Sequence, residues 1–273
     1  MRSLKAVLAA CSAALLLAGS ASAAPSWAPA ATAPIHPGVN TDTAGGSCTA
    51  NFIYYDASSV YIGQAAHCSS TGAATDTNGC DSVSLPEGTP VTVTGASQPG
   101  TMVYNSWIRM QGRGEADPDT CAYNDLALVK LAPADAAQVN PSIPFWGGPV
   151  GLSSGVGATG KVLSYGNSIL RQGITLLSPK EGLQLTATDG SGWNHTVMTV
   201  TPGIPGDSGS AFLDGKGNAL GVLSTLALAP IPTSNGVGDL GKELAYAKTF
   251  SDFSGLQLAA GTETFRGPLL PIG

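Results

Sequence analysis

The most restrictive feature of the sequence is a series of short apolar segments, separated by turn residues, that begins near Cys48 and continues through most of the chain. Residues 50–55 and 60–63 flank a polar turn at 56–59 and predict a β-hairpin. Further strands are predicted for 91–94, 126–131, 196–200 and 219–223. Many short strands with few helical windows predict an all-β sandwich or barrel.

The composition is that of a globular chain with a sizeable core. The 273 residues fit one large domain or two small ones, and 43% of them are hydrophobic while only 11% are charged. Disorder requires the opposite balance. A stretch rich in Pro and Gly, at 132–148, separates two strand-rich halves, and a loosely amphipathic segment at 247–260 predicts one helix.

The N-terminus has the pattern of a secretory signal peptide. Arg2 and Lys5 precede an apolar run at 6–18, and small residues at 21–23 match a cleavage site, so residues 1–23 are predicted to be removed. The apolar run is shorter than the roughly 20 residues of a membrane span. We therefore expect a secreted, extracellular protein, with residues 24–45 as a propeptide or an N-terminal arm.

Charge and cysteine content exclude several function classes. Without the signal peptide, 10 basic side chains remain against 18 acidic ones, which disfavours nucleic acid and anionic membranes as partners. The four remaining cysteines predict two disulfides, and three pairings are open. They are Cys48, Cys68, Cys80 and Cys121. No C-x-x-C occurs, and the polar turn at 75–81 lacks EF-hand spacing, so no metal or cofactor is expected.

The sequence around Ser208 is the sharpest chemical signal. Ser208 stands in Gly-Asp-Ser-Gly-Ser, where Gly206 and Gly209 permit a tight turn that exposes the hydroxyl. The backbone N–H groups of Gly206 and Ser208 then form a predicted oxyanion hole. The alternatives are an ordinary glycine-rich turn and the Gly-x-Ser-x-Gly elbow, which fails because position 210 is Ser.

A nucleophilic serine needs a base and an orienting carboxylate. Of the three histidines, His67 follows a predicted strand and adjoins Cys68, whereas His36 lies in the Pro-rich arm and His195 in a turn or at a strand edge. Asp125 opens an apolar strand, where an unpaired carboxylate would be costly to bury. His67, Asp125 and Ser208 are therefore the predicted catalytic triad.

Three segments together resemble the chymotrypsin-like (trypsin-like) serine peptidases of the bacterial secreted type. They are 65–68 (Ala-Ala-His-Cys), 124–131 (Asn-Asp-Leu-Ala-Leu-Val-Lys-Leu) and 206–209 (Gly-Asp-Ser-Gly), in the family's order. The resemblance implies two six-stranded antiparallel β-barrels, at 46–135 and 145–273, with a C-terminal helix in the second. It also implies Cys48–Cys68 and Cys80–Cys121 disulfides, a contact of Ser224 with the buried aspartate, and a last strand at 245–247.

The chain departs from the animal members of that family at two places. It has no Lys or Arg between Lys5 and Arg109, so no tryptic cleavage before His67 can free an amine to pair with Asp207. Lys161 and Arg171 are the candidate internal partners. The substrate pocket is predicted to involve Pro202, Ser224, Thr225 and Leu226. With no acid near position 202, it should accept small or medium apolar side chains rather than Lys or Arg.

The sequence thus predicts a monomeric secreted serine endopeptidase, a hydrolase that acts on peptide or protein substrates through an acyl-enzyme. Two alternatives remain open at this point. One is a non-catalytic binding module on the same fold, and the other is an esterase.

Overall fold

The structure is a computed structural model that describes residues 24–73, 76–185, 191–226 and 231–271. The predicted signal peptide, residues 1–23, lies outside the described residues, and so does part of the polar turn at 75–81. The domain boundaries that we inferred from the sequence stay predictions. Within the described residues, no helix has both the length and the apolar character needed to span a membrane.

The architecture is mostly β, with fourteen described strands. In chain order, β1 to β7 are Asn40–Thr43, Gly46–Thr49, Ile53–Tyr55, Val60–Ala65, Pro90–Val93, Gly100–Asn105 and Leu126–Lys130. The second set, β8 to β14, is Lys161–Tyr165, Pro179–Gln184, Asn194–Thr199, Ala211–Asp214, Ala219–Leu226, Asn235–Asp239 and Gln257–Leu258. The predicted hairpin is confirmed as β3 and β4, and the four further predicted strands correspond to β5, β7, β10 and β12.

The expectation of two closed barrels is only half right. Strands β8 to β13 close into a six-stranded barrel in the order β10-β13-β12-β11-β8-β9. The other strands form an open eight-stranded sheet in the order β14-β3-β4-β7-β6-β5-β1-β2. Its two edge strands, β14 and β2, have two and four residues and do not pair with each other, so hydrogen bonds do not complete a ring.

The predicted C-terminal helix exists but begins earlier than 247. Four α-helices are described, α1 to α4, at Ser106–Arg113, Pro118–Tyr123, Pro133–Ala136 and Leu240–Phe250. The side chain of Asp239 caps α4 by accepting a hydrogen bond from the Lys242 N–H at 2.9 Å, so the helix begins immediately after β13. The prediction of a last strand at 245–247 is therefore wrong, since these residues lie inside α4.

The second half of the segment before Cys48 is packed into the fold. Ile35 and Val39 are buried in the core, and β1 pairs with both β2 and β5. The chain's C-terminal part also returns to the first sheet, where β14 pairs with β3. One apolar core joins the two halves, with Phe52 and Leu126 in the same cluster as Leu213 and Leu244.

Both disulfides have the pairing that the resemblance implied. Cys48 is bonded to Cys68 across 20 residues, and Cys80 to Cys121 across 41 residues. The first bridge anchors the turn that contains His67 to β2. Two disulfides in a chain of this kind fit an extracellular protein.

Candidate active site

A cleft of about 550 Å³ lies between the two halves and collects most of the predicted site residues. The first half contributes His67, Trp107 and the Cys48–Cys68 bridge, and the second half contributes Ser208 and Leu226. Residues 141 positions apart in the chain, His67 and Ser208, thus face one solvent-accessible space.

The pairing of β4 with β7 places His67 beside Asp125. The register pairs Ala65 with Leu126, so the residues after β4 meet the residues before β7. The Asp125 carboxylate accepts the His67 backbone N–H at 2.9 Å through Oδ1 and lies 2.7 Å from His67 Nδ1 through Oδ2. The remaining ring nitrogen, Nε2, is left for the cleft.

Asp125 is a buried carboxylate that is held from both halves of the molecule. It is 1% exposed, and the Ser224 hydroxyl on β12 donates to its Oδ2 at 2.6 Å, as the resemblance implied. Burial alone would lower the pKa of the His67 imidazole, but the charge and hydrogen bond of Asp125 outweigh it and raise that pKa above its ordinary value of 6.5.

The turn around Ser208 requires both of its glycines. Gly206 has φ +91° and Gly209 has φ +86°, in the region that L side chains rarely adopt. A Cβ at 209 would also lie 2.6 Å from the carbonyl oxygen of Thr49. The turn is tied to β2, because the Thr49 N–H donates to the Ser208 carbonyl at 2.8 Å and the Thr49 hydroxyl to the Gly206 carbonyl at 2.8 Å.

The backbone N–H groups of Gly206 and Ser208 donate to no protein acceptor in the part of the chain that the structure describes, and both residues line the cleft. They therefore remain available to an oxyanion. Within the described ranges, the Ser208 hydroxyl makes no hydrogen bond to the His67 imidazole. Such bonds are often long without substrate and shorten when substrate binds.

Asp207, next to Ser208, is fully buried between two cations. Its Oδ2 forms ion pairs with Arg171 and, at 3.0 Å, with Lys180, while its Oδ1 accepts the Ser168 N–H at 2.9 Å. Burial lowers the pKa of the Lys180 ammonium, Asp207 opposes this and Arg171 adds to it, so the pKa ends below its ordinary value.

Of the two candidate partners of Asp207, Arg171 is confirmed and Lys161 is not. The Lys161 ammonium instead donates to the Leu270 carbonyl at 2.9 Å. Sequence reasoning missed Lys180, which is followed directly by Glu181 and is indistinguishable in the sequence from a lysine on a solvated face. Its full burial becomes evident only when β9 is placed in the barrel.

The other two histidines, His36 and His195, lie away from the cleft and contact other protein groups. His36 Nδ1 contacts the carbonyl of its neighbour Pro37 at 2.7 Å. His195 is fully buried, with Gln184 at 3.0 Å from one ring nitrogen and Asp239 at 2.9 Å from the other. Neither of them lines the cleft.

The predicted pocket residues are only partly on the cleft wall. Ser224, Thr225 and Leu226 line it, together with Ile204 and Leu223. Pro202 is not among the described lining residues, and its carbonyl accepts a hydrogen bond from Lys180 at 3.1 Å. Asp76, the one carboxylate among the described lining residues, belongs to the first half of the chain rather than to this wall.

Cys48, Cys68 and His67 form a group whose Sγ and nitrogen atoms lie within 4.8 Å of one another. Because the two sulfur atoms are joined in a disulfide, they cannot serve as thiolate ligands. The group is therefore not a metal site.

One further buried acid lies behind Asp125 and gave no signal in the sequence. Glu243 on α4 is fully buried, and its Oε1 accepts the Asp125 backbone N–H at 3.0 Å. Burial raises the pKa of the Glu243 carboxyl well above its ordinary value; the hydrogen bond from Asp125 opposes this, and the Asp125 charge reinforces it.

Comparison with solved structures identifies the fold. Thermobifida fusca Protease A matches with a TM-score of 0.53 and 19% identity, over 83% of this chain and 99% of that one. A glutamic acid specific serine protease, described as using a histidine triad in substrate binding, matches with a TM-score of 0.51 and 15% identity, over 82% of this chain and 100% of that one. No family model and no curated protein matches the chain. The fold is that of the bacterial chymotrypsin-like serine proteases.

The charge balance around Asp207 leads to a prediction about stability. Removal of Arg171 or Lys180 leaves the Asp207 carboxylate with one cation, whereas Asp207→Asn leaves two buried cations without a counter-charge. We expect Asp207→Asn to lower the free energy of unfolding by about 3–5 kcal/mol. Arg171→Met and Lys180→Met should each lower it by less.

Urea denaturation measures these differences. Arg109→Met is the matched control, because it breaks the more exposed Arg109–Glu87 pair and should cost about 1 kcal/mol or less. A loss for Arg171→Met or Lys180→Met as large as that for Asp207→Asn would contradict the charge argument.

Proposed function

We propose that the protein is a secreted serine endopeptidase that hydrolyses peptide bonds through His67, Asp125 and Ser208. The observation that carries this proposal is the Asp125 carboxylate, 1% exposed, bonded to His67 Nδ1 at 2.7 Å and to the Ser224 hydroxyl, in a cleft that also contains Ser208. The fold shared with serine proteases supports it.

In the proposed reaction, Ser208 Oγ attacks the carbonyl carbon of the scissile bond while His67 Nε2 takes the hydroxyl proton. Asp125 holds Nδ1 and stabilises the imidazolium that forms. The N–H groups of Gly206 and Ser208 receive the oxyanion. His67 then gives its proton to the departing amine, and water hydrolyses the acyl-enzyme by the same steps.

Secretion, action as a monomer on peptides or proteins, and the absence of a cofactor belong to the same proposal. The signal pattern in residues 1–23 and the two disulfides support an extracellular location.

The first test is covalent labelling of the nucleophile. A fluorophosphonate should label the secreted protein once per molecule, and Ser208→Ala should abolish both labelling and peptide hydrolysis. Ser210→Ala is the matched control for labelling, because its hydroxyl donates to the Asp207 carbonyl and is fully buried. Unlabelled wild-type protein would favour a binding module, and turnover of esters without amides would favour an esterase.

The second test is the pH dependence of the rate. Protonated His67 cannot accept the Ser208 proton, so the rate should rise with pH through the pKa of His67, which Asp125 holds above its usual value of 6.5. In Asp125→Asn, the charge that raises this pKa is lost while burial still lowers it. The rise should therefore move to lower pH, and kcat should fall about 10⁴-fold. An unchanged pH profile in Asp125→Asn would be inconsistent with the proposed roles.

The third test is the cleavage-site profile. With Leu226, Leu223 and Ile204 on its wall, the pocket should select small or medium apolar side chains. Leu226→Gly should widen it and raise the preference for aromatic side chains by about tenfold or more. Leu176→Gly, at a leucine that is 86% exposed and off the cleft, is the control. A wild-type profile dominated by Lys, Arg or Glu would rule out the apolar pocket.

A further inference from the structure

Glu243 is a buried acid that contacts the proposed triad through the backbone of Asp125. It lies on α4, is fully buried, and accepts the backbone N–H of Asp125 at 3.0 Å. The two residues are 118 positions apart, so this contact depends on how α4 packs against the first sheet. Glu243 is not among the described residues that line the cleft and has no direct access to substrate.

The Glu243 contact completes the hydrogen bonding of Asp125. The Asp125 carboxylate is hydrogen-bonded to the His67 backbone N–H, to His67 Nδ1 and to the Ser224 hydroxyl. The Asp125 backbone carbonyl accepts a hydrogen bond from the Ala66 N–H at 2.9 Å. Asp125 precedes β7, so its own N–H lies outside the strand ladder. A buried N–H without an acceptor costs about 1–3 kcal/mol. Glu243 Oε1 supplies that acceptor and thereby fixes the main chain from which the Asp125 carboxylate extends.

The surroundings of Glu243 favour the uncharged acid. The groups that face it are the Asp125 carboxylate, the Asp239 carboxylate at the end of β13, and the buried tyrosines Tyr54 of β3 and Tyr104 of β6. Among the described residues, no basic side chain forms an ion pair with it, and its Oε2 has no protein hydrogen-bond partner. An ionised carboxylate here would be a second buried negative charge without a counter-charge.

We propose that Glu243 is a positioning residue of the triad, which holds the Asp125 main chain through Oε1 as an uncharged acid and so leaves Asp125 as the single negative charge beside His67. This inference rests on the proposed function. The positioning role differs from a purely structural one in what it requires of residue 243. The side chain must place a hydrogen-bond acceptor at the Asp125 N–H, and it need not carry a charge.

Two substitutions of similar size separate the acceptor from the charge. Glu243→Gln keeps an oxygen that can accept the Asp125 N–H and carries no charge, whereas Glu243→Met fills the same space without that oxygen. We expect Glu243→Gln to retain kcat and the pH profile close to wild type. Glu243→Met should lower kcat by about 10- to 100-fold through misplacement of the triad, with KM little changed, and should shift the rise of rate with pH to lower pH.

The pKa of His67, measured by NMR titration in a Ser208→Ala background, provides a readout that does not need activity. Glu243→Gln should leave this pKa unchanged, and Glu243→Met should lower it. Equal effects of both substitutions, or an effect of neither, would overturn the inference. A wild-type enzyme inactive on amides and esters would instead refute the proposed function, and the NMR comparison would still decide the role of Glu243.

Folding of Glu243→Met is checked by near-ultraviolet circular dichroism. If it does not fold, Glu243→Asp takes its place, since it keeps the acid but is one methylene too short to reach the Asp125 N–H. Failure of both to fold, with Glu243→Gln folded and active, would assign Glu243 a structural role and overturn the positioning role.

Discussion

The site depends on one buried carboxylate, that of Asp125. A buried charge is tolerated only when hydrogen bonds replace the water it has lost. Asp125 obtains them from the turn after β4, through His67, and from β12 of the barrel, through Ser224. Because these donors come from different halves of the chain, the orientation of the imidazole requires that both halves be folded and packed against each other.

A second buried carboxylate, that of Asp207, holds the turn that contains Ser208, the proposed nucleophile, under the same constraint. It is paired with Arg171 and Lys180 and accepts the Ser168 N–H, which ties the turn at 206–210 to the segments after β8 and in β9. Both cations that pair with Asp207 are therefore supplied by side chains from within the chain. The lack of any basic residue between Lys5 and Arg109 is consistent with this arrangement. Hydrogen bonds to Asp125 on one side of the cleft and ion pairs of Asp207 on the other thus set its geometry.

Prediction from the sequence succeeded for several segments whose signal was local. Gly-Asp-Ser-Gly marks a turn whose two glycines have positive φ, and the alternating segments predicted β3, β4, β5, β7, β10 and β12. The prediction was less accurate for features that long-range contacts determine. The start of α4 was placed at 247 because its cap, Asp239, also ends a strand, and closure of the first barrel was assumed although strand pairing around a ring has no local signature.

The sequence by itself determined the chemistry that we propose, because a Gly-Asp-Ser-Gly turn, a histidine at a strand end and an aspartate before an apolar strand are each recognisable within a few residues. Only the tertiary structure decided which buried ionisable groups support them. Lys180 and Glu243 look like ordinary surface residues of a strand and a helix, and their burial follows from packing between segments far apart in the chain. The physical reason is that desolvation depends on the complete three-dimensional surroundings of a group, which its sequence neighbours do not specify.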